Sequence, residues 1–187
     1  MRIGKRNKFP KQNNGGYSLV ELVAVLGIMA VVLGVATLSL WIIKNGRDKK
    51  IISSIKSGIG NTRIETLAKE DAVVKIYTKD NKYYVEQTII DNMLDPSTPS
   101  GHKETVQVKE IGSSRDEVSI NDGANSLTDF TDASPIVIKF ERSTGAVDTA
   151  NSSNLFTKIQ AGNHYAILQP KTGKCLMDKD VGTVPTP

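Results

Sequence analysis

An α+β chain is predicted: a long N-terminal helix, apolar enough in its first half to span a membrane, then a head of short antiparallel strands. Three observations predict it. Residues 17–43 form an apolar run in which Tyr17 and Glu21 are the sole ionisable side chains. Residues 49–70, "KKIISSIKSGIGNTRIETLAKE", place Ile52, Ile55, Ile59 and Thr62 on one face at helical spacing. From residue 71 onward the apolar period falls to two, in runs of four to seven residues broken by turn residues.

The first sixteen residues carry Arg2, Lys5, Arg6, Lys8 and Lys11 and no acid, and they end in Gly15–Gly16. Setting those five cations aside leaves 19 basic residues against 20 acidic ones. The basic pI therefore belongs to the N-terminal extension and is no argument for nucleic-acid binding. The single cysteine, Cys175, excludes an internal disulfide and a Cys-rich metal site. It reads as a small apolar residue in a strand.

The apolar run comes next. A helix needs about 20 apolar residues to cross a bilayer, and this run has 27. It is too long for a secretory h-region, and no small-x-small cleavage site follows it. Trp41 sits near its end, where an interfacial aromatic is expected. Lys44, Arg47, Lys49 and Lys50 stop it. The N-terminal cluster of cations is the larger, and Asp48 dilutes the second, which places the N-terminus in the cytoplasm. Within the run Glu21 is expensive: a carboxylate in a membrane helix costs on the order of 2.5–3.5 kcal/mol. It either reaches the headgroups, five residues from the glycines, or waits for a partner.

Beyond the membrane the helix is expected to run to about Lys69 and to lay its Ile face against the head. Gly46, Gly58 and Gly60 weaken it and predict a kink or a break. Residues 72–78 and 82–88 flank "KDN" as a hairpin. Residues 105–111 and 117–120 are weaker strands. Residues 135–141 set Ile136, Ile138 and Phe140 on one face. Residues 154–160 and 164–170 are joined by "AGN" as a second hairpin, and 173–177 form a last strand. The segment 95–103 holds two prolines and reads as an exposed loop, and the tail 181–187 as disordered.

"GGYSLVE" followed by "LVAVLGIMAVVLGVATL" resembles the class III signal of type IV pilins and pseudopilins. Gly16 matches the last leader residue, Tyr17 the first mature residue and Glu21 the fifth-position acid. The resemblance implies cleavage between Gly16 and Tyr17 by a prepilin peptidase, N-methylation of Tyr17, and pairing of Glu21 with the N-terminal amine of a neighbouring subunit during assembly. An extended backbone without side chains suits the cut, which explains the glycine. One departure is the lack of a proline about twenty residues into the mature helix, where Gly27 and Gly34 could soften it instead. The later order, "IVIKFERSTGAV" then "FTKIQAGNHYAILQPKTGKCLM", resembles the heads of GspH/FimT-like minor pilins and pseudopilins. It implies a β-sandwich or two-sheet β-roll packed on the spine helix, the pilin fold. The missing cysteine pair is compatible with a Gram-positive surface.

The domains expected are a leader at 1–16, a transmembrane or filament-core helix at 17–43, an outer spine at 44–70, a head at 71–180 and a tail at 181–187. No catalytic constellation is present, so no enzyme is expected. His102 and His164 lie in different elements without a motif and read as surface positions. Asp122, Asp129 and Asp132 lack EF-hand spacing and read as a turn-rich, solvated loop. No metal or cofactor is expected. "STGAV" and "KTGK" lack the full phosphate-loop pattern and read as tight turns. The function implied is a minor pilin or pseudopilin of a type IV pilus or type II secretion filament. Its partners are the prepilin peptidase, other pilin subunits, an assembly platform protein and the membrane. Its location is the cell membrane, then a surface filament. The alternative is a filament-tip adaptor, for example for DNA uptake in competence, using Lys158, Lys171, Lys174 and Lys179.

Overall fold

A computed structural model describes residues 16–68, 71–94, 102–121 and 123–177. The expected leader up to residue 15, the loop 95–101, Asp122, Lys179 and the tail 181–187 lie outside the described residues. The chain divides into two units, Met1–Trp41 and Ile42–Pro187.

A single α-helix, α1, runs Leu19–Leu67. Its Ile42–Leu67 part belongs to the second unit and supplies that unit's central apolar face. Ile51, Ile52, Ile55 and Ile59 have no solvent exposure, and Thr62 and Thr66 continue the buried line. This is the predicted face, extended by Ile51 and Thr66. Gly46, Gly58 and Gly60 produce no break, contrary to the expectation. At Gly58 the physical reason is packing. A Cβ there would lie 2.6 Å from Val85 Cγ1, so the glycine lets the helix approach the sheet. The hydroxyls of Thr62 and Thr66 donate back to the carbonyls of Gly58 and Thr62, which keeps these buried polar groups satisfied inside the helix.

The head is antiparallel throughout its ladders. β1 (Asp71–Lys79) and β2 (Lys82–Leu94) form the predicted hairpin, and both strands are longer than the sequence pattern indicated. Asp80 and Asn81 make its two-residue turn with φ of 49° and 59°. Asn and Asp tolerate that left-handed region, and two such residues match the right-handed twist of the flanking strands. β3 (His102–Ser113) pairs with β2, so the last two residues of the expected loop 95–103 belong to a strand. β6 (Ile136–Lys139) pairs with β1, giving a four-stranded sheet in the order β3-β2-β1-β6.

A second sheet has the order β5-β4-β7-β8-β9. It comprises β4 (Val118–Ile120), β5 (Asn125–Ser126), β7 (Lys158–Ala161), β8 (His164–Gln169) and β9 (Lys174–Met177). The predicted 154–160 strand is shorter than expected and begins at Lys158, because Asn121 Oδ1 accepts from the Thr157 and Lys158 backbone N–H groups at its entrance. A 3-10 turn, η1 (Leu127–Asp129), follows β5. This corrects the reading of the stretch around Asp129 as a solvated loop: Leu127 is fully buried, and Ser126 and Asp129 cap the turn reciprocally.

One apolar cluster joins the helix to both sheets. It contains Ile51, Ile52, Ile55 and Ile59 of α1, Val74, Ile76, Tyr83, Val85, Ile136 and Ile138 of the first sheet, and Val118, Ile120, Ile159 and Leu168 of the second. The predicted face of Ile136, Ile138 and Phe140 is buried, with Phe140 just past β6 in an isolated bridge to Val147. The chain is thus α+β, with a long N-terminal helix and two antiparallel sheets after it.

Candidate processing and assembly site

The N-terminal unit presents its chemistry in six residues. Gly16 and Tyr17 precede the helix and are exposed, Tyr17 at 86%. Ser18 is the cap. Its Oγ accepts from the Glu21 backbone N–H at 3.2 Å, and the Ser18 backbone N–H donates to Glu21 Oε2 at 3.1 Å. The Leu22 N–H closes the first turn on the Ser18 carbonyl at 3.1 Å. This is a reciprocal capping box. It satisfies two otherwise orphaned N–H groups and sets a negative charge at the positive end of the helix. The signal is present in the sequence as Ser18-x-x-Glu21, inside the stronger glycine-aromatic-acid spacing.

The box fixes where the acid points. Ser18 N lies one residue from the Tyr17 nitrogen. Bond geometry therefore keeps Glu21 Oε2 within about 7 Å of that nitrogen.

Every described side chain from residue 16 to 35, and again from 40 to 44, is exposed. Leu19, Val20, Val31 and Trp41 each leave more than three-fifths of their surface uncovered. A Cβ at Gly27 or Gly34 would touch nothing within 4 Å. By length and composition the helix is apolar enough to cross a membrane. Its Leu19–Trp41 stretch covers roughly 34 Å at 1.5 Å per residue, against a hydrocarbon core of about 30 Å.

The family model for the prokaryotic N-terminal methylation motif matches residues 11–37. The chain carries the class III signal of type IV pilins. No curated protein and no solved structure matches it. Gly16, Tyr17 and Glu21 all fall inside the matched pilin signal, as do Ser18 and the exposed apolar residues as far as Val35. The pilin-like architecture, one long apolar helix followed by antiparallel sheets, accompanies the signal.

The other residues singled out in the sequence are dispersed over the head. His164 is half-buried, and its Nε2 pairs with Asn45 Oδ1 at 3.0 Å. It ties β8 to α1, which corrects its reading as a surface position; the side chain of His102 lies outside the described residues. Asp129 Oδ2 accepts from the Ser126 N–H at 2.7 Å, and Asp132 pairs with Lys79 at 2.9 Å. Each carboxylate thus has a structural partner. Lys158 lies 5.2 Å above the Tyr165 ring, and Lys171 and Lys174 are exposed.

"STGAV" and "KTGK" are turns, as expected, with Gly145 and Gly173 at φ of 67° and 63°. The two tips meet. A Cβ at Gly173 would overlap the Gly145 carbonyl oxygen, so glycine is required there for close approach as well as for φ. Cys175 is buried in β9, and burial pushes its thiol up to about 12 against a small opposing effect of Lys56. Held neutral in this way near pH 7, the thiol packs as a small apolar side chain.

Proposed function

We propose that the chain is a minor pilin or pseudopilin, a structural subunit of a type IV pilus or of a type II secretion-like filament. The observation that carries this reading is the coincidence of the methylation motif at 11–37 with a helical stretch whose described side chains, 16–35 and 40–44, are all exposed. Uncovered apolar surface on this scale calls for a bilayer or for other such helices around it. A pilin signal implies processing by a prepilin peptidase and assembly with other pilins.

In this reading residues 1–16 are the leader, cut between Gly16 and Tyr17 on the cytoplasmic side. The new amine of Tyr17 is then methylated. Residues 17–43 first anchor the subunit in the membrane and afterwards line the filament core. Residues 44–70 form the outer spine under the head. Glu21 supports the transfer. Its carboxylate is held at the extreme N-terminal turn, where cleavage creates a positive charge. A neighbour's amine a few Å away in a low dielectric compensates the cost of keeping that acid among apolar side chains. An assembly platform protein would draw the subunit from the bilayer into a surface filament. The head contributes packing and surface to the filament and performs no reaction.

Mass spectrometry of the chain produced alongside a prepilin peptidase tests the reading. The wild type should begin at a methylated Tyr17, and Gly16→Leu should remain uncut at residue 16. An intact leader on the wild type, or a Tyr17 start in Gly16→Leu, would overturn it.

A further inference from the structure

Residues 44–50 present an unusual surface. Lys44, Arg47, Lys49 and Lys50 are all exposed, whereas Asp48, the one acid among them, is buried. Asp48 turns toward Gly162 in the β7–β8 turn, where its carboxylate occupies the space a Cβ would take. Four cations are therefore exposed within seven residues, while the acid the sequence places among them is turned inward. The side chains of Lys44, Lys49 and Lys50 make no hydrogen bond or ion pair to the described residues. Arg47 Nε stands 3.7 Å from Asp116 Oδ1 and keeps more than half of its side chain exposed. Arg47 and Lys50 share a recess with Gly112, Ser113 and two acids that already have partners: Glu110 is paired with Lys82, and Asp116 accepts from the Ser113 N–H as well as facing Arg47.

The cluster begins one residue after the apolar run ends. Cations flanking a span normally fix its orientation from the cytoplasmic side. Here the N-terminal five do that, and cleavage would remove them. The mature chain would keep its juxtamembrane cations on the opposite side, where they contribute nothing to orientation. Their remaining neighbour is the headgroup layer, within a Debye length of the span's end.

We propose that Lys44, Arg47, Lys49 and Lys50 seat anionic phospholipid headgroups at the outer face of the membrane and hold the subunit there before assembly. The assignment of a face rests on the topology proposed above; the lipid preference does not. Each Lys or Arg near an anionic surface favours binding by roughly a factor of five, so the four together give selectivity well beyond tenfold. Drawing the subunit into a filament would break these contacts and leave the cations to face other subunits.

The test uses the full chain in neutral-detergent micelles, with Trp41, its single tryptophan, as the fluorescent reporter three residues before Lys44. Phosphatidylglycerol should shift the Trp41 emission saturably, and phosphatidylcholine at the same concentrations should not. In K44Q/R47Q/K49Q/K50Q the half-saturation point should rise by at least about tenfold, and in K44R/R47K/K49R/K50K, which keeps every charge, it should stay put. Molar salt should weaken the wild-type response, which decides the matter even where the Gln variant fails to fold. Equal responses to the two lipids, an unaltered Gln variant with no salt effect, or reproduction of the shift by inorganic phosphate would each overturn the proposal, the last as a free-anion site. A failure of the pilin reading shows separately, in the N-terminal mass.

Discussion

Arg63 Nε donates to the carbonyl oxygen of Gly145 at 3.0 Å and, from the same nitrogen, to that of Thr172 at 3.1 Å. Two turn tips more than twenty residues apart in sequence are thereby pinned to the last turns of α1. The Gly145 N–H donates in turn to the Glu141 carbonyl, and the Val147 N–H to that of Pro170, so the clamp closes a loop of backbone bonds. Removing Arg63 should free both tips. Arg63→Ala should cost about 1.5–3 kcal/mol in urea unfolding, the usual range for hydrogen bonds from a charged donor. Arg63→Lys should recover little of that, because an ammonium on a flexible stem does not reproduce a planar guanidinium shared between two carbonyls.

The register of β6 makes a second comparison possible. Phe140 is buried at 6% exposure on the face shared with Ile136 and Ile138, while Val137 is half-buried on the other. Phe140→Ala should cost roughly 3–5 kcal/mol, and Val137→Ala clearly less. A larger loss at Val137 would mean the strand is turned over.

Alkaline stability follows from three buried groups. Burial pushes the Cys175 thiol from its ordinary value near 9 up to about 12. It does the same to the Tyr83 and Tyr77 hydroxyls from near 10, helped at Tyr83 by the charge of Asp116 and at Tyr77 by a hydrogen bond from its hydroxyl to Glu86. Above pH 9 the unfolded chain loses these protons while the folded one keeps them, so stability falls as the pH rises from about 9 toward 12. Cys175→Ala should flatten the first part of that fall, between about pH 9 and 10, in urea midpoints measured across the range.

Local patterns explain which parts of the fold were legible. The Ile52–Ile55–Ile59 face, the Asp80–Asn81 hairpin and the alternation of Ile136 and Ile138 are all written within a few residues, and each forms as read. The pairing of β6 with β1, of β4 with β7, and the Asn45–His164 bond join residues between about 40 and 120 apart, and no local pattern carries such information. Leu127 was missed because a lone leucine among polar residues has no period, yet the cap around η1 buries it. Gly58 misled in the other direction: a helix-weakening residue by propensity, it is there for close approach to Val85. At the N-terminus the spacing of Gly16, Tyr17 and Glu21 was plain, and the Ser18–Glu21 box was equally available but hidden behind the stronger motif.

That box supplies the most direct test of the assembly role given to Glu21. Its acid has two jobs in this account, capping α1 through Ser18 and meeting a neighbour's amine, and the first can be removed alone. Ser18→Ala loses the cap at a cost of about 1 kcal/mol at the helix end but keeps the carboxylate. Glu21→Ala loses both, while membrane insertion becomes easier. The measurement is the amount of each variant recovered in sheared filaments relative to the amount in the membrane. Near wild-type recovery is expected for Ser18→Ala and a severe loss for Glu21→Ala. Equal recovery of Glu21→Ala and wild type, or equal losses in the two variants, would contradict it.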